Sequence, residues 1–166
     1  FERSSENIIV ATAGLPVTVV RNMSTGEYEV VESTPKIWSS TLYELSKKNL
    51  VNIVWVGWPN AFYEPEEEFL VTELLLEHNC IPVFLSKNIV EKVYSTFLGN
   101  FLLPVFHNML PIASKVPYNN EMWKYFRVMS KGYSTKILEA AYDSNDMIWF
   151  HDLPLVLVPS IMTRTM

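Results

Sequence analysis

The chain has 166 residues, of which 49% are apolar and 19% charged, and its net charge is −5. This composition is typical of a folded globular chain and excludes a disordered one. The negative balance and the absence of a basic block argue against nucleic acid or an anionic membrane surface as a partner. No apolar run approaches the roughly 20 residues of a membrane span, and no signal peptide is recognisable. We therefore expect a single cytoplasmic domain over residues 1–166.

The single cysteine, Cys80, excludes an internal disulfide and fits a reducing compartment. Cys80 directly precedes the apolar run 81–85, so we expect a buried, small, apolar side chain. A nucleophilic cysteine would need a positioned base, and no candidate base is identifiable in the sequence.

The first part of the chain predicts a strand, a hairpin and a helix. Residues 8–11 are a short apolar run typical of a buried strand, and residues 12–16 are expected to form a loop at its end. Two further apolar runs, 17–20 and 28–31, flank a polar link that contains glycine, which predicts a β-hairpin. A helix is expected from about Ser39, with Leu42, Leu45 and Leu50 on its apolar side.

The apolar run 51–56 leads into a tryptophan-rich corner, residues 55–59, which overlaps its end. That run predicts a strand buried on both faces. Gly57 is expected to let the backbone turn, and Pro59 to end the strand because it has no N–H to donate. The corner then lies at the carboxyl end of a strand, where open α/β sheets bind ligands. We interpret Trp55 and Trp58 as one flat apolar wall beside a cleft.

The remaining elements alternate between helix and strand. Acidic residues and a proline at 64–68 predict the start of a helix rather than a metal site, and Ser86 is a plausible N-cap. The periodicity then predicts strands at 81–85 and 147–150 and helices at 87–97, 120–141 and 153–164, with a buried turn or short helix at 101–107 and a loop at 111–120. Alternation of this kind favours an α/β fold, with a parallel sheet and helices on both faces.

Few residues carry recognisable chemistry. The five glycines form no phosphate-binding loop, and the three histidines lack metal-ligand spacing. We therefore expect no cofactor and no metal. The pair His151-Asp152 directly follows a predicted apolar strand, so it is expected at the carboxyl edge of the sheet. The Asp152 carboxylate would accept hydrogen bonds from sugar hydroxyls there; the alternative is that it only caps the following helix.

Several motifs occur together along the chain. They are Ile8-Ile9-Val10 with Leu15-Pro16-Val17-Thr18-Val19, Val54-Trp55-Val56-Gly57-Trp58-Pro59, Asn79-Cys80-Ile81-Pro82-Val83-Phe84-Leu85, Tyr94 with Phe97, Leu103-Pro104-Val105-Phe106-His107 and Ile148-Trp149-Phe150-His151-Asp152. In order and spacing this set resembles the trehalose-6-phosphate synthases, which are retaining glycosyltransferases. The resemblance covers their N-terminal half, which mainly holds the acceptor glucose 6-phosphate, and the half that holds most of the UDP-glucose donor is missing. It implies a three-layer Rossmann-like parallel sheet, the N-terminal half of a GT-B fold, with a β-hairpin insertion near the N-terminus.

The resemblance assigns acceptor-binding positions to four residues of this chain. Trp58 matches the acceptor-site tryptophan of the family, and Tyr94 matches a tyrosine that helps to hold the sugar phosphate. His151 and Asp152 match the start of a His-Asp-Tyr-His-Leu motif whose aspartate binds the acceptor glucose. The resemblance assigns no catalytic residue within this chain.

Other family positions are replaced. The family's first loop reads Ser-Asn-Arg-Leu-Pro, and its arginine pairs with the phosphate; here Gly14 stands in its place. The family's Gly-Gly-Leu donor loop falls near residues 35–37, which are Pro-Lys-Ile, and its tryptophan before proline is Leu103. The last three residues of the His-Asp-Tyr-His-Leu motif are Leu, Pro and Leu at 153–155. These losses fall on binding residues, while the apolar strand positions are kept.

Three functions remain open from the sequence. The first is a synthase-like domain that is non-catalytic or regulatory, binds glucose 6-phosphate weakly at most, and serves other trehalose-synthesis subunits or a fused phosphatase domain. The second is the acceptor half of an active, divergent synthase that moves glucose from UDP-glucose to glucose 6-phosphate, with Lys36 or Arg21 replacing the lost cation. The third is a protein-interaction domain with an exposed aromatic patch.

Overall fold

The computed structural model describes residues 8–33, 42–44, 52–109, 115, 118–141 and 146–165. Its strands are β1 (Ile8–Gly14), β2 (Val17–Arg21), β3 (Tyr28–Glu32), β4 (Ile53–Trp58), β5 (Cys80–Pro82) and β6 (Met147–Phe150). Four of them form a sheet in the order β5-β4-β1-β6, and every neighbouring pair is parallel. The antiparallel pair β2–β3 forms a separate hairpin. The predicted parallel sheet with a hairpin insertion is confirmed.

The described helices are α1 (Glu68–Leu76), α2 (Lys87–Val90), α3 (Leu103–Phe106), α4 (Asn120–Ala140) and α5 (Val158–Met162), with a π-helix (Glu91–Leu102) between α2 and α3 and a 3₁₀ turn (Leu153–Leu155) before α5. The predicted cap at Ser86 is confirmed, since its Oγ accepts from the amide of Ile89 at 3.4 Å. The helix expected at 87–97 instead continues to residue 106, and much of it is π-type.

Helices and the hairpin cover the two faces of the sheet. The side chains of β1 alternate between the faces, because successive residues of a strand point in opposite directions. Ile9 and Ala11 pack with α4, α5 and the π-helix in one core. Val10 packs with α1 and β2 in the other core, in which Trp55 and Cys80 are also buried. The expectation of helices on both faces and the burial of Cys80 are therefore confirmed.

The predicted tryptophan wall is wrong. Trp55 belongs to the core on the α1 side and is fully buried, whereas Trp58 packs against the core on the α4 side. The reason is that β4 continues through residue 58, so two residues three positions apart point to opposite faces. Gly57 makes no turn, since it pairs with Thr12 and with Pro82 inside the sheet. It matters through close approach, because a Cβ there would lie 2.9 Å from the carbonyl oxygen of Thr12.

Two other expectations need correction. The loop expected at 12–16 is shorter, since β1 runs to Gly14 and β2 begins at Val17. The strand at 147–150 was expected to be buried, but β6 is an edge strand whose Met147 and Trp149 side chains are 61% and 43% exposed. An apolar run therefore identified the strand but not its place at the edge.

Some expectations concern residues that the structure does not describe. Of the helix expected from Ser39, only residues 42–44 are described, and they are helical. Three other segments lie outside the described part: residues 35–37, most of the loop at 111–120, and residues 142–145. Within that part, no helix combines the length and apolar character that crossing a membrane requires.

Candidate functional site

The carboxyl ends of three neighbouring strands bring the candidate residues to one edge of the sheet. The end of β1 pairs with the end of β4, since Gly14 lies opposite Trp58. On the other side of β1, the amide of His151 donates to the carbonyl of Ala11 at 2.9 Å, which extends the pairing with β6. Asp152 follows directly. Trp58 and the His151-Asp152 pair are thus assembled at the same edge, the usual ligand-binding position in parallel sheets.

The indole ring of Trp58 lies between two other aromatic rings. Its centroid is 5.5 Å from that of Phe62 and 6.3 Å from that of Tyr94, with a 30° angle between the Trp58 and Tyr94 planes. The Trp58 Nε1 atom is buried and donates no hydrogen bond to any described residue. A buried donor without a partner costs free energy, so a ligand with an acceptor oxygen would complete this site.

The hydroxyls of Tyr94 and Tyr133 hold the end of β1. Both donate to the carbonyl oxygen of Ala13, at 3.2 Å and 3.0 Å, and the Tyr133 hydroxyl also accepts from the amide of Trp58 at 3.2 Å. Tyr133 is fully buried on α4. One hydroxyl therefore links the ends of β1 and β4 beside the irregular register at Thr12–Gly14.

Both tyrosines are protonated at neutral pH. Burial raises the pKa of Tyr94 to about 12; the hydrogen bond with Tyr133 opposes this rise and the Asp152 carboxylate adds to it. Burial also raises the pKa of Tyr133 well above its ordinary value. The influence of Asp152 on Tyr94 means that the end of β6 acts electrostatically on the π-helix.

Asp152 has an unusual backbone conformation. Its φ is 77° and its ψ is 159°, a region that glycine adopts almost exclusively. Its side chain accepts from the amide of Leu153 at 2.7 Å, so the capping role weighed in the sequence analysis is present. The residue is also exposed at the edge. Strain in a non-glycine residue is concentrated at functional sites, and this strain is an additional reason to keep Asp152 in the candidate site.

Asn60 occupies the space beside Gly14. A Cβ added to Gly14 would clash with Asn60 Oδ1 and would lie 3.1 Å from its Cγ. The Asn60 amide donates to the carbonyl of Leu15 at 2.9 Å and to Ser33 Oγ at 3.0 Å. The Asn60 side chain therefore occupies the space that a side chain at residue 14 would need.

Sequence reasoning missed Tyr133 and Asn60. Tyr133 lies inside the predicted helix 120–141, and its partner Ala13 is 120 positions away; no local sequence pattern predicts such a contact. Of the two proposed substitute cations, Arg21 donates through Nε to Gly26 in the hairpin at 3.2 Å, and Lys36 lies outside the described residues. Leu103 is 39% exposed at the start of α3. In the described ranges, no cluster of three or more His, Cys, Asp or Glu suits a metal ion.

A parallel sheet that is covered on both faces, with the candidate residues at its carboxyl edge, is typical of a Rossmann-like α/β domain. Solved structures share this fold. A Burkholderia xenovorans alpha,alpha-trehalose-phosphate synthase in complex with glucose-6-phosphate gives a TM-score of 0.64 at 16% identity, covering 96% of this chain and 31% of that one. A Burkholderia multivorans trehalose 6-phosphate synthase gives 0.60 at 15% identity over 96% and 31%. The expected N-terminal half of a GT-B fold is confirmed.

The family follows from sequence profiles. The profile described as Glycosyltransferase family 20 matches residues 5–166, so the chain belongs to that family. The 56 kDa subunit of the UDP-forming alpha,alpha-trehalose-phosphate synthase of Saccharomyces cerevisiae is 33% identical over 160 residues, covering 96% of this chain. Synthase A of Dictyostelium discoideum is 30% identical over 161 residues, again covering 96% of this chain. The chain spans 31% of the first relative and 21% of the second, and it is a trehalose-6-phosphate synthase-like domain.

Proposed function

We propose that this chain is the acceptor-side domain of a synthase-like protein that no longer holds the phosphate of its acceptor firmly, and that it serves trehalose synthesis in the cytoplasm by regulation or assembly. Its partners would be other subunits of trehalose synthesis or a fused phosphatase domain. The observation that carries this proposal is the pair Gly14 and Asn60: the resemblance places a phosphate-binding arginine at residue 14, and here an asparagine side chain fills that space.

The loss of that arginine has a large energetic consequence. A guanidinium group makes charge-assisted hydrogen bonds to a phosphate, each contributing about 1.5–3 kcal/mol. The described groups that contact Trp58 are aromatic rings and a tyrosine hydroxyl, and Tyr94 donates to a backbone carbonyl. These described contacts supply no guanidinium or ammonium group for a dianionic phosphate.

The sugar-binding part of the edge is retained. Trp58 and Tyr94 form an aromatic surface, Trp58 Nε1 is a buried donor without a described partner, and the Asp152 carboxylate lies at the same edge. Such groups recognise hydroxyls and the apolar face of a sugar ring without needing a phosphate. We therefore expect glucose and glucose 6-phosphate to bind with similar, weak affinity.

A variant that restores the cation tests this proposal, with isothermal titration calorimetry as the measurement of affinity. The double variant Gly14→Arg, Asn60→Gly places a guanidinium at residue 14 and removes the asparagine that blocks it; Asn60 has a φ of 61°, which glycine adopts readily. Glucose 6-phosphate should bind this variant about 10- to 100-fold more tightly than the parent chain. Affinity for glucose should not change.

The single variant Asn60→Gly is the matched control, since it opens the same space without adding a charge. It should bind glucose 6-phosphate as weakly as the parent. Micromolar binding of glucose 6-phosphate to the parent chain would contradict the proposal, because it would require a phosphate-binding cation elsewhere in the site.

The alternative function is the acceptor half of an active, divergent synthase. The assembly of Trp58, Tyr94 and Asp152 at one edge favours it, as do relatives described as UDP-forming synthases. Assay of the natural protein with UDP-glucose and glucose 6-phosphate separates the two. Steady formation of trehalose 6-phosphate would establish the alternative, and absence of turnover with intact folding would support the regulatory function.

A further inference from the structure

A separate cleft is lined in part by Phe62. It has a volume of about 360 Å³ and opens between the segment after β4 and the segment after β5. The lining residues used below are Phe62, Tyr63, Glu64, Glu68, Phe84 and Lys87. Nothing in the proposed function uses this cleft, although Phe62, which lines it, also contacts Trp58. Its volume is in the range of small-molecule sites.

The aromatic floor of the cleft is held in a fixed geometry. The Tyr63 hydroxyl donates to the carbonyl of Val19 at 2.8 Å and accepts from the amide of the same residue at 3.3 Å. Its ring meets that of Phe84 edge to face, with centroids 6.1 Å apart. Tyr63 is therefore anchored to β2, and a ligand would meet a surface that needs little rearrangement.

The rim carries charged groups that have no hydrogen-bond partner in the described ranges. The Glu64 and Glu68 carboxylates accept none there, in contrast to Glu67, whose carboxylate is bound by the Tyr28 hydroxyl and by the amide of Glu64. The Lys87 ammonium lies 5.9 Å from the centre of the Phe62 ring. The lining of the cleft therefore combines hydrogen-bond acceptors and a donor with aromatic rings.

We propose that this cleft binds an uncharged sugar of one or two rings. Two carboxylates accept from sugar hydroxyls, an ammonium donates to sugar oxygens, and the Phe62 and Tyr63 rings pack against the apolar face of the sugar. The two carboxylates outnumber the one ammonium, which disfavours an anion such as a phosphate. The ligand is therefore a neutral polyhydroxylated molecule, bound outside the acceptor edge.

Two-dimensional ¹H–¹⁵N NMR of the whole chain, titrated separately with D-glucose, maltose and inorganic phosphate, tests this proposal. Either sugar at millimolar concentration should shift amide signals of residues 61–68 and 84–87 in a saturable way. Inorganic phosphate should leave the cleft signals unchanged.

Two variants identify the groups that bind. Phe62→Ala should weaken sugar binding by about three- to tenfold, whereas the matched control Phe69→Ala, at an exposed phenylalanine on α1 that does not line the cleft, should leave it unchanged. Glu68→Gln tests the rim without removing an aromatic ring and should weaken binding by a smaller factor. Thermal melting of each variant verifies folding.

Three results would overturn the proposal. They are the absence of saturable shifts with either sugar, shifts confined to the surroundings of Tyr94 and Asp152, and larger cleft shifts with phosphate than with sugar. The second result would assign the sugar to the acceptor edge and would leave the proposed function intact. The proposed function is tested separately, by glucose 6-phosphate binding to the double variant Gly14→Arg, Asn60→Gly. That measurement does not depend on the three NMR results, so failure of one proposal can be distinguished from failure of the other.

Discussion

Trp55 and Trp58 belong to the same strand, yet their surroundings differ in almost every respect. Trp55 lies in the middle of β4, pairs with Val10 on one side and Cys80 on the other, and is fully buried. Its ring meets that of Tyr43 at 6.5 Å in an edge-to-face contact. Trp58 ends the strand, pairs only with Gly14, and is partly exposed. Trp55 is therefore part of the core, whereas Trp58 lies at the partly exposed edge.

The difference shows how position in a strand assigns a role to a residue. Trp55 and Trp58 point to opposite faces, and β5 ends opposite Gly57, so none of the described strands covers the outer flank of Trp58. Its surroundings instead come from side chains of other elements, namely Phe62, Tyr94 and Tyr133. The carboxyl edge of the sheet is therefore built mainly by side-chain contacts, whereas the centre is built by strand pairing.

Replacing each tryptophan by alanine should give the largest contrast. Trp55→Ala should lower the free energy of unfolding by about 3–5 kcal/mol, the cost of deleting a large buried ring. Trp58→Ala should cost clearly less and should abolish sugar-induced NMR shifts at the acceptor edge. Urea unfolding measures the first effect. Equal destabilisation by the two variants would contradict the assignment of Trp58 to a site, and Trp55→Phe provides a folded reference if Trp55→Ala does not fold.

Alkaline pH should destabilise both regions, because burial raises the pKa of the Cys80 thiol at the centre to about 12 and also raises the pKa of two tyrosines at the edge. The folded pKa of Tyr94 is about 12 and that of Tyr133 lies well above 10.0. A raised folded pKa means that the full stability is present below the unfolded value of about 10 and is lost as the pH rises through the folded pKa. The loss from Tyr94 alone should reach about 3 kcal/mol. The absorbance of ionised tyrosine, followed during a pH titration, checks this prediction. The ionisation of Tyr94 and Tyr133 should coincide with the unfolding of the chain.

The core elements were accessible to sequence reasoning because their signals are local. The apolar runs at 8–11 and 51–56 predict strands by composition alone, and Ser86 and the acidic segment 64–68 indicate helix starts by known end effects. The positions of Trp58 and Asp152 at one edge follow from parallel pairing, which alternation of helices and strands implies. These features need no knowledge of distant contacts.

The parts that sequence reasoning missed depend on distant contacts. The Tyr133 hydroxyl links Ala13 to Trp58, and no pattern in α4 distinguishes it from an ordinary apolar-face tyrosine. Asn60 fills the space beside Gly14 across two different strand ends. The extension of β4 through Gly57 was missed because a glycine followed by Trp-Pro resembles a turn, while the real constraint is its approach to the carbonyl of Thr12.

Removing single hydroxyls separates the two tyrosines of the edge. Tyr133→Phe loses a donated and an accepted hydrogen bond and leaves the Trp58 amide without this partner, so it should cost about 1–3 kcal/mol. Tyr94→Phe should cost about 0.5–1.5 kcal/mol, because the carbonyl of Ala13 keeps its bond from Tyr133. Urea unfolding of both variants measures the difference. A larger cost for Tyr94→Phe would show that Tyr133 is not the group that joins the strand ends.

The smallest stability effect, and the most specific, is expected at Asp152. Asp152→Gly relieves the strain of a φ of 77° but loses the hydrogen bond to the Leu153 amide. These effects oppose each other, so the free energy of unfolding should change little. Asp152→Ala loses the same bond and keeps the strain, so it should be less stable than Asp152→Gly by about 1–3 kcal/mol.

Sugar binding decides whether Asp152 does more than cap the 3₁₀ turn. If its carboxylate accepts from sugar hydroxyls, both variants should lose the glucose-induced shifts around Trp58 and Tyr94, although only Asp152→Ala is destabilised. A loss that followed stability instead, with Asp152→Gly binding as well as the parent, would reduce Asp152 to a cap. Binding at the edge would then rest on the aromatic rings and on the buried Trp58 Nε1 donor.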